Sequence, residues 1–182
     1  MIINQKEAES EALRNTAVQM MAAIRTAPKG CGMDNVTAVI VSGEDKQKLA
    51  DSMMEIHEET GLDFMKRDAE NAARCDLMIV VGVKDIPMGM PDCGLCGAQD
   101  CAENRKRSSR CVFNITDLGI ALGSAVSVAA DSRIDSRIFY SAGQGALRMG
   151  IFGDDVKAAY GIGLSISTKN IFFDREPHKI MK

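Results

Sequence analysis

Tryptophan is absent from the chain, and histidine and tyrosine occur twice each. His57 falls in an expected surface helix and His178 in the terminal tail. Neither has a partner at metal-ligand or triad spacing, which argues against imidazole-based catalysis. No G-x-G-x-x-G fingerprint, Walker loop or G-x-S-x-G elbow occurs, so the usual dinucleotide, nucleotide and serine-hydrolase signals are missing. A net charge of −3 leaves no broad basic field suited to nucleic acid. The opening MIINQKEAESEALRN lacks an apolar run, and no stretch approaches the roughly 18 apolar residues of a membrane span. These absences lead to the expectation of a cytoplasmic protein that binds neither nucleic acid nor membrane.

Cysteine, by contrast, is concentrated. Of six in the chain, Cys93, Cys96, Cys101 and Cys111 fall in the stretch DCGLCGAQDCAENRKRSSRC, with the spacing C-x2-C-x4-C-x9-C. A two-residue gap lets two sulfurs converge from a tight turn, and Gly94 and Gly97 supply the backbone freedom for it. Four such thiolates suit a 4Fe–4S cluster, and they also satisfy a tetrahedral zinc ion. A bare thiol–disulfide loop is the third reading. Structural zinc usually shows two C-x2-C knuckles, whereas here there is one, which favours iron–sulfur. Arg105, Lys106, Arg107 and Arg110 lie between the third and fourth cysteines, where cations would stabilise an anionic centre. The bland reading of that run is a solvated surface, and the functional one is steering of an acidic redox partner. Cys75, beside an expected strand, reads as buried and inert, whereas Cys31, between two glycines, reads as the more reactive thiol.

Hydrophobic periodicity organises the remainder. A helix is expected over 5–26, with Leu13, Ala17, Met20, Met21 and Ile24 on one face and Pro28 as its stop. A strand follows at Val36–Val41, then helices over 44–60 and 63–74, the first stopped by Gly61. The unbroken apolar run Leu77–Val83 suits a strand covered on both faces. After Cys111 a long helix is expected, with Asn114 as N-cap, Asp117 as its capping-box partner and a stripe of Ile115, Leu118, Leu122, Val126 and Ala129. Its small, uncharged surface predicts burial all round. Residues 131–153 are ambiguous, with a brief strand at Ile138–Tyr140 and a helix over Ala142–Met149. A last strand at Val156–Ile166 is expected to be broken by Gly161 and Gly163. Phe172 and Phe173 are expected to anchor the tail on a neighbouring subunit. Twelve methionines suggest an adaptable interior. One α+β domain is expected over 1–182, containing a cysteine-rich loop over 87–111.

DCGLCGAQDC resembles the small four-cysteine 4Fe–4S modules of corrinoid iron–sulfur proteins and of some membrane electron-transport complexes. CVFNITDLGIALGSAVS and GIGLSISTKNIFFDR resemble the uncharacterised family described as ferredoxin-domain-containing proteins. IRTAPKGCGMDNVTAVIV and DLGIALGSAVSVAA are similar to the flavin-binding opening and the central dimer helix of nitroreductases. That resemblance implies a dimeric nitroreductase-like α+β fold, a mixed sheet flanked by helices, with the cysteine loop inserted before the central helix. It further implies FMN at the subunit interface, near Lys29, Gly30, Cys31 and Gly32. Arg14, Arg25, Lys169 and Arg175 are the candidates for its phosphate, which needs cationic donors. The resulting expectation is an iron–sulfur oxidoreductase serving a redox partner protein or a small-molecule substrate. The alternatives are a pure electron carrier and a structural zinc module.

Overall fold

The computed structural model describes residues 1–173. Helix α1 (Gln5–Thr26) starts at a capping box, with the Asn4 side chain accepting from the Glu7 N–H and Glu7 reaching back to the Asn4 N–H. Its buried face is Leu13, Thr16, Ala17, Met20 and Ile24. Strand β1 (Val36–Val41), helix α2 (Gly43–Thr60) and helix α3 (Asp63–Arg74) follow. Gly61 ends α2 in the left-handed region at φ 70°. Then come β2 (Leu77–Lys84), α4 (Cys101–Arg107), α5 (Val112–Asp131), β3 (Asp135–Phe139), α6 (Tyr140–Arg148) and β4 (Val156–Ser165).

The four strands lie in the order β1-β2-β4-β3, and every pairing is antiparallel. The α+β architecture is as expected; the mixed sheet is not, because each neighbouring pair runs in opposite directions. Strand β2 is buried from Leu77 to Val83. Leu77, Ile79, Val81 and Val83 face α1 and α5, packing with Leu13, Ala17, Met20, Leu118 and Ala121. Met78 and Val80 face the other way, onto Leu49, Met53, Met65 and Ala142. Alternation across the pleat therefore sends both sets of side chains into apolar layers, which is why the run shows no polar period.

Four details of the sequence reading change. Gly161 and Gly163 do not break β4: a Cβ at Gly161 would lie 2.6 Å from Ala142 Cβ, and one at Gly163 would lie 2.9 Å from Phe139. They make room for what packs on the strand. The brief strand is Asp135–Phe139, and Tyr140 already begins α6. Phe172 anchors the tail on this chain itself, fully buried and edge-on to Phe139 at 5.7 Å, while Phe173 is exposed. Finally, α5 starts at Val112 with Cys111 as N-cap. Asn114 and Asp117 are buried inside the helix, bonded to neighbouring loops and not to their own helix N–H groups.

Helix α5 is also open on one side. Leu118, Ala121, Leu122, Ala125 and Ala129 are buried, but Val112, Ile115 and Ile120 are each 38–40 % exposed, alongside Gly119 and Gly123. Ile115 thus leaves the expected buried stripe, and burial all round does not occur within one chain. By length and composition α5 could cross a membrane, at 20 residues and mean hydropathy 1.5, which corrects the expectation that no stretch qualifies. Its small residues raise hydropathy without bulk, while Asn114 and Asp117 sit within its buried face.

Helix α6 meets β4 at backbone contact, since a Cβ on Gly143 would lie 1.7 Å from the Ala159 carbonyl oxygen. Gly143→Ala should destabilise the protein by about 3 kcal/mol or more, read as a lower urea midpoint at unchanged slope. Cys75 is buried, its thiol against the Ala72 carbonyl at 3.2 Å, and burial pushes its pKa from 9.0 up to about 11. The folded state therefore holds this proton after the unfolded chain has released it. Its contribution is intact below pH 9 and lost as pH rises through 11, amounting to about 3 kcal/mol. Between those values, the stability of a Cys75→Ala variant should fall less steeply with pH than that of the parent. Equal slopes would refute this.

Candidate metal centre and cofactor loop

The loop between β2 and α5 is tied at both ends by one carboxylate. Asp85 accepts from the Arg110 guanidinium at 2.6 Å and from the Cys111 N–H at 3.3 Å. Between these points the chain reverses repeatedly through left-handed residues, among them Asp92 (φ 57°), Gly94 (62°) and Gly97 (80°). The Gly97 N–H closes onto the Gly94 carbonyl at 2.9 Å, so the expected glycine turn is formed. Asp100 then caps α4, accepting from the Glu103 N–H at 2.7 Å, which sets Cys101 as the first residue of that helix. Half of the basic run holds the loop together: Arg107 pairs with Glu103 at 2.5 Å and reaches the Gly97 carbonyl, and Arg110 pairs with Asp85.

All four expected cysteines line one small cavity, walled by Met88, Met90, Leu95 and Phe113 among others. Every cysteine is a free thiol; Cys111 is buried and the other three are half-buried. The cavity measures about 20 Å³, room for about one water. Among the described residues no three Cys, His, Asp or Glu side chains are gathered closely enough to hold an ion. The loop thus brings the four sulfurs to a common cavity and stops short of a coordination sphere. The donor chemistry nevertheless fits a thiolate-bound centre. The Ala98 N–H, the Asn104 side chain and the nearby Arg107 charge together lower the Cys96 pKa, and thiolate is the ligating form. Asn104 is itself buried, its amide donating to the Arg110 carbonyl at 3.4 Å while its Oδ1 has no partner among the described residues.

The second expected site lies at the end of α1. Gly30–Gly32 forms a single 3-10 turn with Cys31 exposed and left-handed at φ 53°. The Gly30 N–H donates to Asp117 Oδ1 at 2.9 Å. Lys29, a candidate for cofactor contact, is committed elsewhere. Its side chain is 5 % exposed, and its ammonium donates to the Ile24, Arg25 and Ala27 carbonyls at 2.8–3.0 Å, which satisfies the C-terminus of α1. Arg25 pairs with Asp34 at 2.5 Å. Lys29 is thus turned inward, whereas the Arg25 side chain stays 77 % exposed beside Asp34.

Arg14 lies elsewhere. It lines a 690 Å³ pocket with Lys6, Ser10, Ser42, Gly43 and Ile166, between the first half of α1 and the start of α2. Lys169 follows β4 as an exposed residue three positions beyond Ile166. Arg175 and His178 lie outside the described residues. At 1.5 Å per helical residue, Arg14 and the Gly30 turn are separated by about 20 Å of α1. The expected cofactor residues therefore form two groups. Lys6, Ser10, Ser42, Asn104 and Asp117 were not singled out as site residues by the sequence reading. Lys6, Ser10 and Arg14 recur at four-residue spacing on one helix face, which was a readable signal.

A family described as "uncharacterized protein containing a ferredoxin domain" matches residues 107–175. That span holds α5 through β4 and, of the four loop cysteines, only Cys111. A curated relative from Archaeoglobus fulgidus, described as an uncharacterised protein, is 38 % identical over 98 % of this chain and 100 % of its own length. Among solved structures, the FMN- and NADPH-dependent nitroreductase NfnB from Sphigopyxis sp. strain HMH superposes with a TM-score of 0.60 at 13 % identity, covering 93 % of this chain and 86 % of that one. A nitroreductase family protein from Clostridium novyi NT gives 0.60 at 11 %, covering 96 % and 79 %. At such identities these likenesses establish a nitroreductase-like fold and nothing more. With the curated relative aligned over nearly its whole length, the chain belongs to the family of uncharacterised proteins containing a ferredoxin domain.

Proposed function

We propose that the protein is an iron–sulfur oxidoreductase in which Cys93, Cys96, Cys101 and Cys111 hold a 4Fe–4S cluster. The observation that carries this reading is the convergence of four free thiols on one apolar cavity, with hydrogen-bond donors and a cation favouring the thiolate of Cys96. The family description and the redox proteins among the fold neighbours support it. A cluster bound there supplies single-electron transfer, and a flavin would exchange it for two-electron chemistry. The chain's own part is to favour the thiolate of Cys96, to shield the sulfurs with Met90, Leu95 and Phe113, and to latch the loop through Asp85.

FMN belongs in this proposal as a shared ligand of a homodimer. The open apolar face of α5 is the surface we assign to a second copy. Lys6, Arg14 and the N-terminus of α2 would take the phosphate, and the Gly30–Gly32 turn would come from the partner copy, since one chain separates the two groups. The electron source and sink would be a redox protein or a small-molecule substrate. A second reading, a carrier without flavin, is favoured by the internal commitment of Lys29.

Anaerobically purified protein should contain iron and labile sulfide. Cys96→Ser should abolish or sharply reduce that loading while Cys75→Ser leaves it intact. Stoichiometric zinc without sulfide would overturn the redox reading. Arg14→Ala should weaken FMN binding about tenfold, the loss of one charge-assisted contact. Sedimentation giving a monomer, or FMN bound equally well by both forms, would remove the shared flavin site and leave the carrier.

A further inference from the structure

The cysteine cavity and the Gly30 turn share a wall. A Cβ on Gly30 would lie 3.1 Å from Phe113 Cδ1 and 3.3 Å from Met88 Cε, and both side chains also line the four-cysteine cavity. Phe113 stands two residues after Cys111, and Asp117, which holds the Gly30 N–H, stands one helical turn further along α5. We propose that Phe113, Met88 and Asp117 are positioning residues through which filling of the cysteine cavity sets the shape of the Gly30–Gly32 turn. This inference rests on the proposed thiolate centre.

Two observations argue for movement. With a volume of about 20 Å³, the cavity has room for about one water. A metal bound by four sulfurs at about 2.3 Å draws them inward and displaces what lies between them. Phe113 and Met88 line the cavity and also border the space beside Gly30, so a shift of the loop reaches the turn through them, since packed groups transmit strain. The second observation is the clamp itself. Asp117 is buried, and while its Oδ1 holds Gly30, its Oδ2 has no partner among the described residues. A buried acceptor left unmet is costly, so a displaced turn that offers it a donor gains what the present one forgoes. Glycines at 30 and 32, the latter already at φ 68°, give the turn the freedom to move. The turn can therefore report whether the centre is filled. By reciprocity, a ligand seated on the turn alters metal affinity by the same factor.

Cobalt(II) is the probe, added to the full chain stripped of metal under anaerobic conditions, with thiolate-to-cobalt absorption reporting binding. The readout is the rate at which iodoacetamide alkylates Cys31, followed by the mass of its own peptide. Saturating cobalt should change that rate about fivefold or more. In Phe113→Leu the change should collapse although cobalt absorption persists. Asp117→Asn, which keeps the side chain's shape, should do the same and guards against a folding defect in the first variant. Bound cobalt with an unaltered Cys31 rate, or an undiminished change in both variants, would refute the coupling while the metal centre stands. Failure of cobalt to give thiolate absorption would instead sink the centre, and the coupling with it.

Discussion

The double burial of β2 is the constraint on which the rest of the structure depends. A strand apolar on both faces must be covered on both, and the chain meets that demand with α1 and α5 on one side and α2, α3 and α6 on the other. Each fully buried aliphatic side chain contributes about 1.5–3 kcal/mol, so the layers outweigh any local preference of the connecting segments. The connection from β2 to α5 must then leave the sheet and re-enter the first layer. The cysteine loop occupies that passage. Its position beside the Gly30 turn follows from layering, because α1 and α5 pack against each other and the turn that follows α1 meets the first half of α5.

Much of this was legible in the sequence, and what failed did so for a consistent reason. The bounds of α1, β1, α3 and nearly all of β2 follow from periodicity and punctuation, which are local. Asn114 and Asp117 did not follow, because a polar residue near a helix start reads as a cap whether it serves its own N–H groups or brackets a distant loop. Only the positions of Ile86 and Gly30, which the sequence keeps far away, distinguish the two. The same holds for Gly161 and Gly163. A glycine that breaks a strand and one that admits a neighbouring ring or helix are spelt identically. Phe172 is the converse case: its apolar character announced an anchor without saying which core would take it.

The candidate site divides in a similar way. The four cysteines were readable because their ligand spacing is set within one loop. The cofactor residues were less so, since a lysine beside a helix end serves equally well as phosphate ligand or as carbonyl cap. Lys29 became a cap because its stem reaches back over the last turn of α1, where three carbonyls lack partners of their own. Buried acceptors such as Asp117 Oδ2 and Asn104 Oδ1 carry no sequence signature; they emerge only when every neighbour is counted.

The way Arg107 and Arg110 are used bears on how this protein would respond to its medium. Both guanidinium groups are spent on Glu103 and Asp85 within the loop, and both are about half exposed. Added salt screens such pairs directly. Ionic strength would therefore slacken the strap around the sulfurs as well as any attraction toward an outside molecule. A reaction of this protein that slows in concentrated salt would carry both contributions, and the cavity's own absorption, measured in the same buffers, separates the strap from the encounter.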